Sequence, residues 1–442
     1  MAKVTIIGAG AISAPKTFIS DLLSYPEMDG ITISLMDIDE QRLETIARIG
    51  EILQEDAAID STIEATTDRR RALDGADYVI NVIHVGGAEP FENEIRIPER
   101  YGVKQAIGDT LGPGGVFRGL RTVPTLLELA EDMEELAPGA PLLNYTNPMA
   151  INCWAIDEAT DVDVYGLCHS VQGTVSRIGQ YVGAVENRDE AMAELDYWVA
   201  GINHLAWVLE CRHGEKDLLE QLPEVMVDPD IYEQDTVRFE FFKHFGAFPT
   251  ESSHHTSEYV PYFRTDQKVI DDMTGTGSAG RMPTATYLKG WLDSTDKGEI
   301  PLEELYDPAD LTVGSSHEYP GQIVHSIETG QARRMNINVR NHDRLITNLP
   351  SEACVEVPCL VDGTGVKPCA VGDLPPQLAA LNRSNIHVQE QAVRAILEGD
   401  REAVHRAMKL DPLTAAVLSL DEIHEMTEEL LEANEKYLPA LT

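Results

Sequence analysis

Asp109, Asn147, Cys168, His204, His255 and Tyr259 are of types and in settings that suit redox chemistry beside a metal ion. Cys168 and His204 stand too far apart for a zinc-finger spacing. Two protein ligands are also too few for a structural zinc. They leave coordination positions open to substrate oxygens and water, as a catalytic metal requires. A lone cysteine is ordinarily a buried structural thiol. A ligand role is favoured here because DVDVYGLC places Cys168 at a strand end. Asn147, in NYTNP, is able to donate to and accept from a hydroxyl, and equally able to N-cap the helix starting at Pro148. Asp109, in GDT, has the same double use. In ESSHHTSEYVPYF, His255 and Tyr259 lie i, i+4 on one face of a short helical turn. Either can transfer a proton; polar packing at a domain interface is the competing use. GPGG, Gly112 to Gly115, reads as a turn offering exposed backbone N–H groups.

These residues need a scaffold, and the N-terminal half supplies one. KVTIIGAG is an apolar, β-branched run ending in Gly8 and Gly10, with a helical pattern from Ile12 to Ser24. That order lets a pyrophosphate approach the backbone at a helix N-terminus. The third position of GxGxxG is Ser13, a small residue in place of glycine. The next strand, ITISLM, ends at Asp37, whose carboxylate suits a ribose hydroxyl and so NAD over NADP. Gly8, Gly10, Ile12, Ser13, Asp37 and His84 are the expected cofactor contacts. Strand and helix patterns continue to alternate: a helix over Asp39 to Leu53, strands at STIEATT, Asp77 to Ile83, APLLNYTN and DVDVYGLC, and a helix over Val171 to Val182. His84, Asn147 and Cys168 close three of these strands, the end at which doubly wound sheets bind ligands.

The fold class expected is therefore α/β: a Rossmann-like, doubly wound, mainly parallel sheet over residues 1–195. An α+β substrate and metal domain is expected over 196–442. There helical stretches (Val237 to Gly246, Pro376 to Glu398, Leu420 to Tyr437) dominate, mixed with short strands at Met335 to Val339 and Ala353 to Val357.

Composition narrows the partners. The 442 residues carry 75 Asp plus Glu against 34 Lys plus Arg, a net charge of −41. Such a surface repels nucleic acid. It also destabilises itself unless salt screens it, which together with scarce lysine suggests a salt-loaded, halophilic cytoplasm. No apolar run is long enough for a bilayer and no leader pattern precedes Lys3, so a cytoplasmic protein with no membrane partner is expected. Six cysteines without a CxxC pair indicate reduced thiols.

The segments GDTLGPGG, RTVPTLLELAEDM, NYTNPMA, GLCHSVQGT, AGINHLAW, VRFEFFKHFG, TESSHHTSEYVPYF, QIVHSIETG and ITNLP, with the N-terminal GAG and DID, resemble glycoside hydrolase family 4, the NAD- and metal-dependent glycosidases. CHSV and TESS look closest to the α-galactosidase (melibiase) group. Two departures stand out: SSHH where those enzymes usually have SSEH, and Asp343 and Arg344 within NVRNHDRLITNLP. The resemblance implies NAD and Mn2+ as cofactors, Cys168 and His204 as metal ligands, and Asp109, Asn147 and His169 as substrate contacts. It implies His255 as the base, with Tyr259 second, and His169 as the acid for the leaving group. It further implies transient oxidation at sugar C3, metal-assisted C2 deprotonation and β-elimination of a small-molecule α-galactoside, in a homo-oligomer. An α-glucoside or α-uronide is the alternative within the family. A lactate- or malate-type 2-hydroxy-acid dehydrogenase, or a non-catalytic NAD or sugar sensor, is the alternative outside it.

Overall fold

The computed structural model describes residues 2–273 and 306–442. Its centre is one thirteen-stranded sheet. The strands are β1 (Lys3–Ile7), β2 (Ile31–Met36), β3 (Ser61–Thr66), β4 (Tyr78–Asn81), β5 (Leu142–Asn144), β6 (Val164–Gly166), β7 (Leu195–Ile202), β8 (Leu205–His213), β9 (Lys216–Asp217), β10 (Phe248–Pro249), β11 (Arg333–Arg340), β12 (Cys354–Asp362) and β13 (Gly365–Pro368). Six of them run parallel in the order β3-β2-β1-β4-β5-β6. This is the doubly wound dinucleotide-binding order, with its switch point between β1 and β4. The apolar runs of β1 and β4 are buried on both faces, as covered parallel strands require.

The second half extends this sheet. β11 joins β6 antiparallel at Asn338 and Gly166, and β12, β7, β8 and β10 follow, each antiparallel to its neighbour. The main core follows the sheet across both halves. A smaller one, including Val171, Ile178, Val199, Phe239 and Phe248, lies beside the β7–β8 hairpin.

That hairpin was not expected. Helical patterns were read as dominating from Asp196, yet Leu195–Ile202 and Leu205–His213 are strands joined by the two-residue turn Asn203–His204. GPGG is also corrected. It is the buried first turn of the Gly112–Leu136 helix, not an exposed turn. A Cβ on Gly114 would stand 2.1 Å from the Gly108 carbonyl oxygen, and one on Gly115 2.4 Å from the Thr110 carbonyl carbon. Glycine lets the helix start against the loop that carries Asp109 and Thr110.

Candidate active site

Four chain segments converge at the carboxyl end of the parallel strands. The loop before Gly112 brings Asp109 and Thr110. It is held by the buried Glu258 carboxylate, which accepts from Ala106 N at 2.7 Å, Ile107 N at 3.1 Å and Gly108 N at 3.2 Å. The segment after β6 brings Cys168, and the β7–β8 turn brings His204. The residue pair after β10 brings Glu251, just ahead of the Ser253–Glu258 helix that carries His255. His204 and Glu251 both adopt positive φ, 63° and 72°. Strain of this kind in non-glycine residues persists where the surroundings over-determine it, and it gathers at functional sites.

Cys168 Sγ lies 3.3 Å from His204 Nε2, and Glu251 Oε2 lies 3.7 Å from the same nitrogen. Thr110 Oγ donates to Asp109 Oδ1 at 2.8 Å and stands 2.8 Å from His204 Nδ1. With its proton committed to Asp109, the hydroxyl accepts from Nδ1–H. The Nε2 lone pair of His204 is thereby left facing the thiol and the carboxylate. A metal-binding histidine is oriented in this way, its second nitrogen held by an outer partner. Cys168, His204 and Glu251 thus fit a divalent ion, and Asp109 and His255 adjoin the same His204. Glu251 was missed in the sequence, as was Thr110.

The charges agree. Burial opposes ionisation of Asp109, but His255, Arg118 and His204 hold its carboxyl well below the usual range. Burial likewise opposes ionisation of Glu251, and His255, His204 and His169 outweigh it. Burial, then Glu251, pushes the Cys168 thiol up to about 12. A thiol beside the ionised Glu251 carboxylate is where a cation restores the thiolate.

His255 Nδ1 is 2.6 Å from the Tyr259 hydroxyl, as their spacing predicted. Burial lowers the His255 pKa, leaving a neutral imidazole able to take a proton, and burial raises Tyr259 well above its usual value. His169 is more exposed, with Nδ1 3.4 Å from Glu318 Oε1. Glu318 also accepts from Tyr145 at 2.6 Å. The Glu318 contact, ahead of opposing burial, raises His169 to about 9. His169 is therefore charged at neutral pH and suited to protonating a leaving group.

Beside this cluster runs a crevice of about 840 Å³, whose lining includes Gly8, Gly10, Asp37, His84, Asp109, Arg118 and Asn147. A Cβ on Gly8, at φ +86°, would meet Ile83 N at 2.8 Å, so the first glycine is needed to close β1 onto β4. Ile12 has φ 60° and precedes the Ser13–Leu23 helix, whose first turn has no side-chain cap. Its free N–H groups suit a phosphate. Asp37 accepts from Gly10 N at 2.8 Å and so shapes the glycine turn as well as lining the crevice. His84 Nε2 faces Gly87 O at 3.1 Å while Nδ1 faces Arg118 at 3.2 Å. Asn147 does not cap the following helix, because Pro148 holds that position. Its Nδ2 donates to Asp109 at 2.9 Å, and its buried Oδ1 has no partner. An orphan acceptor in this wall fits a hydroxyl or amide of a bound molecule. The Asp343–Arg344 departure lies in an exposed loop outside the crevice lining. No described helix is long and apolar enough to cross a membrane.

Comparison with known proteins agrees with this geometry. The profile described as family 4 glycosyl hydrolase matches residues 3–184, and that of the family's C-terminal domain matches 199–414. An α-galactosidase of Bacillus subtilis (strain 168) is 38% identical over 443 residues, covering 99% of each chain. Another, of Rhizobium meliloti (strain 1021), is 38% identical over 448 residues, covering 99% of this chain and 89% of its own. A 6-phospho-α-glucosidase from gut microorganisms, solved in complex with NAD and Mn2+, superposes with a TM-score of 0.78 at 20% identity, over 100% of both chains.

Proposed function

The chain belongs to the family 4 glycosyl hydrolases, and on that premise we propose that it hydrolyses α-galactosides by an oxidation–elimination route. The observation that carries the reading is the position of the Cys168–His204 pair, 3.3 Å apart, with His204 beside Asp109, which lines the dinucleotide crevice. NAD+ and a divalent ion such as Mn2+, when bound, supply a hydride acceptor for sugar C3 and Lewis-acid polarisation of the C2 and C3 oxygens.

The chain's own residues do the rest. Gly8, Gly10 and the uncapped helix start hold the dinucleotide phosphates, with Asp37 at the ribose. Cys168, His204 and Glu251 hold the ion. Asp109 and the free Oδ1 of Asn147 orient sugar hydroxyls. The His255–Tyr259 pair takes the C2 proton once C3 is a carbonyl, and charged His169, held by Glu318, protonates the departing oxygen. A homo-oligomer in the cytoplasm, free of nucleic acid, is part of the same reading.

Similarity to α-galactosidases over nearly the whole chain supports the sugar. Arginine placement supports an unphosphorylated substrate. Of three arginines lining the crevice, Arg69 pairs with Asp132 at 2.6 Å and Arg42 donates to Gly10 O at 3.1 Å. Arg118 alone is not the convergent set a phosphate dianion selects. The test compares kcat/KM, with NAD+ and Mn2+, for p-nitrophenyl α-galactoside, α-glucoside, α-galacturonide and 6-phospho-α-glucoside. The α-galactoside is expected to lead, and preference for any other sugar overturns the substrate.

A further inference from the structure

A second cluster of metal-binding side chains joins two C-terminal helices and shares no residue with the crevice. His405, on the Arg401–Leu410 helix, is buried. His424, on the Leu420–Asn434 helix, is exposed, and Glu428 follows it by one turn. His405 Nδ1 and His424 Nδ1 are 3.2 Å apart, with the rings stacked at 4.5 Å. On its other side, His405 Nε2 lies 2.8 Å from Glu428 Oε1, and Arg401 donates to Glu428 Oε2 at 2.7 Å.

An ionised carboxylate only accepts, so His405 keeps its proton on Nε2 and turns the bare Nδ1 lone pair toward His424. The order carboxylate, N–H, imidazole lone pair is the one that orients histidine ligands in metal sites. Tetrahedral zinc binds nitrogen at about 2.0–2.1 Å, which places two ligating nitrogens roughly 3.3 Å apart. The observed spacing already matches. A divalent ion would sit between the two nitrogens once His424 carries its proton on Nε2.

We propose that His405 and His424, with Glu428 as the positioning carboxylate, form a second, open divalent-metal site between the two helices. It would take a first-row divalent ion of imidazole preference, such as Zn2+, with water filling the remaining positions. Glu402, whose charge also acts on His405, adds to the field that attracts a cation.

The full-length protein, stripped with EDTA and held in high KCl to suppress diffuse binding, is titrated with Zn2+ by calorimetry and with Co2+ by absorption. His424 is exposed, so His424→Ala should fold as the parent does. The expected result is that His424→Ala loses one Zn2+ equivalent while keeping the thiolate-to-cobalt charge-transfer band of the Cys168 site. Glu428→Gln should weaken the lost site at least tenfold without removing it. Unchanged Zn2+ stoichiometry and affinity in His424→Ala overturns the proposal and leaves a plain hydrogen-bonded histidine pair.

Discussion

The Thr110 hydroxyl stands 2.8 Å from His204 Nδ1, and through it Asp109 fixes which nitrogen of His204 is free. A neutral hydroxyl therefore decides whether the imidazole can act as a ligand. Thr110→Val keeps the shape and removes the acceptor. It should weaken Mn2+ binding by roughly 10–100-fold, the range for outer-shell partners, while Thr110→Ser retains it. The check is Mn2+ affinity by electron paramagnetic resonance, and parental affinity in Thr110→Val would break this link.

In the proposed site Cys168 is the soft ligand. EDTA should abolish turnover and Mn2+ restore it. Cys168→Ser should bind Mn2+ at least about tenfold more weakly. Full activity in metal-stripped Cys168→Ser would show that the cluster is not a metal centre.

Much of this was legible in the sequence. β1 and β2 are continuous apolar runs that end in Gly8 and Asp37, and they fold as read because covered parallel strands need little alternation. His255 and Tyr259 were placed by helical spacing alone. The β7–β8 hairpin escaped because both strands carry runs of four buried residues and no clean period of two. The first turn of the Gly112–Leu136 helix escaped because glycine and proline read as breakers, whereas here close backbone contact demands glycine. Glu251 was hidden among 75 acidic residues with no spacing to mark it. Thr110 carries no charge and gains its meaning only from its two neighbours in space.

Asp21 gives a pH dependence. It is 2% exposed and accepts from both the backbone and the hydroxyl of Ser316, anchoring the segment that carries Glu318. Burial, helped by Glu318 and opposed by the Ser316 bonds, raises its carboxyl from 3.8 to about 6. A raised folded pKa means that its contribution is fully present below the unfolded value and fades as pH rises through about 6. The stability of the parent relative to Asp21→Asn should fall by about 2 kcal/mol between roughly pH 4.5 and 7.5. Denaturant melts at the two pH values measure this, and a pH-independent difference would contradict it.

The net charge of −41 predicts a salt requirement. At molar KCl the Debye length falls to roughly 3 Å and surface repulsion is screened. Tm should climb steadily with KCl. A flat profile from dilute buffer to high salt would reject adaptation to a salt-loaded interior and leave the enzymatic reading untouched.

The central claim is that the glycosidic bond breaks by elimination after oxidation at C3, with the His255–Tyr259 pair removing the C2 proton. The most direct measurement is hydrolysis of p-nitrophenyl α-galactoside in deuterated water with NAD+ and Mn2+, followed by NMR of the released sugar. The account predicts deuterium at C2 of the product, together with slower turnover of substrate deuterated at C2 or C3. Product without deuterium at C2, and no isotope effect at either carbon, would contradict it.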